Sequence, residues 1–113
     1  MATHGCWLVS DGHVLASAEE AATRADRRRG LLRRDGIDGA LVIPRCRWVH
    51  TVGMRFALDV AHLDEAGNVL RTVRMAPNRL GAPMLHAHTV VEAEAGAFAR
   101  WGLRVGDVIE VRR

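Results

Sequence analysis

At 113 residues, 49% hydrophobic and 26% charged, the chain has room for one core and not two, and its composition excludes wholesale disorder. It reads as a single domain over residues 1–113, and no apolar run approaches the ~20 residues of a membrane-spanning helix, so no membrane role is expected. The formal net charge is +3 and all 16 basic residues are Arg, a pattern that suits phosphate or carboxylate recognition but that a codon bias toward Ala, Arg, Gly and Val explains better.

The first residues, Met1-Ala2-Thr3-His4-Gly5-Cys6-Trp7-Leu8, lack a basic stretch followed by a sustained apolar one, so no signal peptide is read and the expected compartment is the cytoplasm. Cys6-Trp7-Leu8-Val9 and Val14-Leu15-Ala16 flank Ser10-Asp11-Gly12-His13; Asp-Gly between apolar runs predicts a β-hairpin. Ser17 followed by Glu20 fits a capping box and predicts one main helix over about 18–35. Ala18, Ala21, Ala22 and Ala25 would share one face of it, and Arg27, Arg28, Arg29, Arg33 and Arg34 would complement the dipole in its last turns. A face of alanines buries little area. It is expected to sit close against another small surface, the Ala57 and Ala61 face of the central strand.

Gly39-Ala40-Leu41-Val42-Ile43 predicts a buried strand ended by Pro44, with Trp48 and Val49 continuing the sheet. Apolar runs over 56–63 and 69–75 flank Asp64-Glu65-Ala66-Gly67-Asn68 and predict a second hairpin. With Glu65-Ala66-Gly67 as its loop, Asp59 opposes Val73 and Arg71 is a diagonal neighbour; a slip of one residue would bring Thr72 and Arg74 over instead. Residues 75–84 hold Pro77 and Pro83 and read as a long loop, of the kind that often carries function. A strand over 89–95, a short helix over about 97–101 and a strand over 108–111 close the chain. The predicted fold is α+β: a compact, mainly antiparallel, barrel-like sheet with one main helix (about 18–35) and a short C-terminal helix (about 97–101).

Several pieces recur in a known order: Arg29-Gly30-Leu31-Leu32; Gly39 through Ile43; His50-Thr51-Val52-Gly53-Met54-Arg55-Phe56-Ala57-Leu58-Asp59; the Leu63 to Val69 hairpin; Val91-Glu92-Ala93-Glu94-Ala95-Gly96; and Gly102 through Asp107. Together they resemble the bacterial and archaeal domain of unknown function 192, over about 18–111. That family often has Trp-Met before its Asn-Thr and Pro before its Leu-Asp, where this chain has His50-Thr51 and Ala57. The resemblance implies a small β-rich α+β fold and no assigned chemistry.

Asp59 is the first candidate site residue, because a carboxylate in a buried strand must be paired, capped or neutralised. The ligand-binding candidates are His50, Thr51, Arg55, Asp59, Arg71 and Glu92, bordered by the 77–83 loop. They suggest an uncharacterised small soluble domain, a non-catalytic binding or interaction module for a small anionic ligand or a protein partner. One alternative is a hydrolase-type or metal-assisted enzyme with Asp59 or His50 as base. A second is an Arg-rich nucleic-acid-binding domain using residues 24–34, disfavoured by the intervening Asp26 and neighbouring Asp35 and Asp38 and by only three Trp and two Phe for stacking. Cys46, His50, His86 and His88 could supply metal ligands, but their spacing departs from closed zinc sites, and no metal or other cofactor is expected. Cys6 and Cys46 predict no disulfide, and neither a nucleophile elbow nor a dinucleotide fingerprint is present, so no catalytic residue is assigned.

Overall fold

The structure, a computed structural model, describes residues 3–113. The elements in chain order are β1 (Thr3–Ser10), β2 (His13–Ala21), α1 (Arg24–Arg29), β3 (Ala40–Pro44), β4 (Leu58–Leu63), β5 (Val69–Met75), β6 (Thr89–Glu94), α2 (Ala97–Trp101) and β7 (Glu110–Arg112). The seven strands form one mixed sheet in the order β5-β4-β6-β3-β2-β1-β7, in which only β2 and β3 run parallel. No helix among the described residues is long and apolar enough to cross a membrane.

The central strands are buried on both sides. One face gathers Leu8, Val42, Ala61, Leu63 and Val91 beneath Phe98 of α2 and Ile109. The other gathers Leu41, Leu58, Val60 and Val90 beneath Leu31, Val49 and Met54. Double coverage explains why β4 reads as a nearly unbroken apolar run rather than an alternating one.

Several expectations change. The main helix over 18–35 does not form: Ala18 and Ala21 are the buried end of β2, and α1 has only six residues. The alanine run favours helix locally, but β2 pairs with β1 along its whole length and with β3 at Ala18–Ala40, and those non-local ladders outweigh intrinsic propensity. Thr23 rather than Ser17 caps the helix, its Oγ1 accepting the Asp26 N–H at 3.1 Å. The Ala61 face is therefore covered by α2 and Ile109, not by a long alanine helix.

Nor is the sheet barrel-like. Its edges β5 and β7 share no ladder; the segments just before them meet at an isolated bridge between Asn68 and Val108. The Ile109 N–H donates to Gly67 O and the Val69 N–H to Asp107 O, each at 2.8 Å. Gly67 has φ +90, and a Cβ there would lie 2.3 Å from Ile109 O, so this tie requires glycine.

Trp48 and Val49 do not continue the sheet. Arg45 adopts φ 55 directly after β3 and turns the chain into an irregular segment over 45–57. In the β4–β5 hairpin Leu63 opposes Val69 as expected, but a bulge at His62/Leu63 moves the register by one, so Asp59 faces Arg74.

Gly67→Ala should cost more than about 2 kcal/mol in urea unfolding, because it combines positive φ with a backbone clash. An unchanged midpoint would show that the edge tie adds nothing to stability.

Candidate functional site

Asp59 and Glu92 both sit in the middle of the sheet, on opposite faces. Asp59 is 4% exposed and faces α2. Its Oδ2 accepts the N–H groups of Gly96 at 2.9 Å and Phe98 at 3.2 Å, and its Oδ1 accepts Arg74 Nε at 3.1 Å. The carboxylate is thus a fastening for the start of α2, whose N-cap Gly96 has no side chain to do that work. Arg74 is largely exposed and adds a screened interaction.

Glu92 lies between Leu41 of β3 and Val60 of β4, also 4% exposed. Burial pushes its carboxyl up from 4.5 to about 7, and the Leu31 N–H offsets this only in part. Its Oε1 has no hydrogen-bond partner. Gly30 passes directly over it: a Cβ on Gly30 would sit 3.0 Å from Oε1, so the chain after α1 can cross the carboxyl only as glycine.

Above Glu92 is a cleft of about 50 Å³, walled by α1 and Gly30 on one side and by Cys46, Trp48 and His50 on the other. It adjoins a shallower hollow of about 410 Å³ along Arg24, Arg27, Arg28 and Arg45. Trp48 is held at the rim because its indole N–H donates to Gly81 O at 2.7 Å, and its ring centroid lies 5.3 Å from that of His50. Among the described residues none of those four arginines is in an ion pair. Burial, and to a lesser degree Glu92, raises the Cys46 thiol, which therefore stays protonated at neutral pH.

The six binding candidates do not converge. His50 and Glu92 line the cleft. Thr51 is fully buried and knots two loops, its hydroxyl donating to Ala76 O at 2.6 Å and accepting the Arg79 N–H at 2.8 Å. Arg55 pairs with Asp35 at the surface, at 3.0 Å. Arg71 donates to Ala82 O and contacts His62, and Asp59 belongs to the other face of the sheet. Cys46 shares the hollow with His50, while His86 and His88 are exposed in the 76–88 loop; among the described residues no three His, Cys, Asp or Glu side chains assemble into a metal site.

Sequence reasoning missed His62, an imidazole 2% exposed in β4. Burial and the neighbouring Arg71 lower it from 6.5 to about 4. The signal was the same as for Asp59, an ionisable residue inside an apolar run. Trp48, expected in a strand, is instead a rim residue of the cleft.

The chain belongs to the DUF192 family, described as an uncharacterized ACR, whose profile matches residues 7–111. The match takes in the N-terminal hairpin as well as the stretch from residue 18 onward. No curated protein matches the sequence. Among solved structures it is similar to a protein of unknown function from Novosphingobium aromaticivorans DSM 12444, with TM-score 0.77 and 18% identity over 96% of this chain and 84% of that one. It is also similar to a protein described as a candidate transcription regulator from Sinorhizobium meliloti 1021, with TM-score 0.75 and 20% identity over 97% of this chain and 94% of that one. At these identities the likeness establishes the fold.

Two consequences are measurable. Asp59→Ala strands two backbone donors and should cost about 3 kcal/mol in urea unfolding, whereas Arg74→Ala should cost under about 1 kcal/mol. Equal losses would mean that the ion pair, not the α2 fastening, matters. Glu92 has a raised folded pKa, so its contribution is complete below 4.5 and is lost as pH rises through about 7. His62 runs the other way, losing stability as pH falls from 6.5 toward 4. Glu92→Gln should therefore match the parent Tm at pH 4.5 and exceed it above pH 7; a Tm difference independent of pH would contradict the assignment.

Proposed function

We propose that the chain is a non-catalytic binding module for a small anionic ligand with a planar portion, held in the arginine-lined hollow and reaching into the cleft above Glu92. The observation that carries this reading is the Glu92 Oε1, buried without a partner at the base of a cleft whose outer wall is rich in arginine. An unsatisfied buried acceptor costs about 1–3 kcal/mol, and a ligand N–H or O–H would recover it. Trp48 offers a flat surface already fixed in orientation, and Arg27, Arg28 and Arg45 supply cations for a phosphate or carboxylate. The reading takes the chain to be cytoplasmic, with Cys6 and Cys46 as free thiols.

A second reading, single-stranded nucleic acid, is favoured by the same four arginines around an exposed Trp48. An enzyme using Asp59 and His50 together has less support, since they lie on opposite faces of the sheet and Asp59 spends both oxygens on α2 and Arg74.

Calorimetry with adenosine monophosphate, inorganic phosphate and an oligonucleotide separates these readings. A small-ligand module should bind the mononucleotide, with affinity reduced about tenfold in Arg28→Ala or Glu92→Leu. Tight oligonucleotide binding that falls steeply with salt would favour the second reading. Binding unchanged in both variants would remove the cleft from consideration.

A further inference from the structure

On the far side of the 46–54 segment the 76–84 loop folds back beside β5 and leaves a groove of about 440 Å³. It falls within the size range of small-molecule sites. Its apolar wall includes Val73, 38% exposed, and Leu80, 71% exposed. Arg71 and Arg79 also line it, and among the described residues neither is in an ion pair.

The inner end of the groove is formed by His62. Arg71 Nη2 lies 3.1 Å from His62 Nε2 and 2.6 Å from Ala82 O. A guanidinium can only donate, so Nε2 accepts and the ring proton of a neutral His62 sits on Nδ1. His62 Nδ1 and Arg71 Nε are both buried without a partner. Two unanswered donors, one on the His62 ring and one on the Arg71 guanidinium, in a groove that Arg79 also lines, call for an acceptor that carries negative charge. The exposed Val73 and Leu80 alongside call for an apolar body attached to it.

We propose that this groove is a second binding site, for an organic carboxylate with an aliphatic body. The carboxylate lies at Arg71 and Arg79 next to His62, and the aliphatic chain runs along Val73 and Leu80. The site is independent of the Glu92 cleft, from which Val49 separates it.

The test uses the full chain with octanoate, acetate and octanol as probes. Calorimetry should give octanoate binding below about 1 mM, with acetate and octanol each weaker by about tenfold or more. Arg79→Ala and Leu80→Ser, both at exposed positions, should each weaken octanoate by about tenfold while leaving the fold and any ligand of the Glu92 cleft untouched. In ¹⁵N-resolved spectra octanoate should shift the His62 ring nitrogens. A peptide ending in Leu with a free C-terminal carboxylate forms a further arm. If it outcompetes octanoate, the carboxylate comes from a protein terminus rather than a free acid, and the site stands. Absence of octanoate binding, equal binding by Arg79→Ala, or unmoved His62 resonances would overturn the proposal and leave the orphaned donors to buried water.

Discussion

Covering both faces of a sheet takes water away from every side chain in its middle strands. Most of β3, β4 and β6 answers this with Leu, Val, Ile and Ala, but three ionisable groups remain inside: Asp59, His62 and Glu92. Each meets the same desolvation differently. Asp59 collects two backbone donors and a guanidinium. His62 gives up its charge, lowered to about 4 beneath Arg71. Glu92 has neither a cation nor enough donors, and its carboxyl rises to about 7. Only the first solution is complete within the chain: both Asp59 oxygens have partners, whereas Glu92 Oε1 and His62 Nδ1 have none.

Much of this was legible in the residues. The turn at Asp11-Gly12, the β4–β5 hairpin and the short helix over 97–101 follow from local chemistry, and local chemistry is what a sequence displays most directly. Asp59 stood out because a carboxylate in an apolar run has few ways to survive there. What could not be read was non-local. Ser17 with Glu20 makes a plausible helix start, yet Glu19 bonds Arg34 and Glu20 bonds Arg113, partners far along the chain. The bulge that swaps Val73 for Arg74 opposite Asp59 leaves no mark on composition.

The burial of Glu92 was hidden for a related reason. Val-Glu-Ala-Glu in a strand reads as one wet and one dry face, and Glu94 is indeed exposed. Glu92 is dry only because Gly30 and Leu31 arrive from a distant segment to cover it. The candidate site therefore depends on a crossing that the strand itself does not foretell.

The strand order also divides the sheet into two leaves. β3, β6, β4 and β5 form one, and the N-terminal hairpin with β7 forms the other. Their shared backbone pairing includes a parallel ladder of three rungs, Ala18–Ala40, Glu19–Leu41 and Glu20–Val42, and, at the opposite margin, bonds between Gly67 and Ile109, Val69 and Asp107, and Gly106 and Val69. Two such leaves behave like a book with a spine and a latch. Parting at the spine pulls on the latch, so breathing of the outer leaf is restrained by a glycine that belongs to neither strand of the spine.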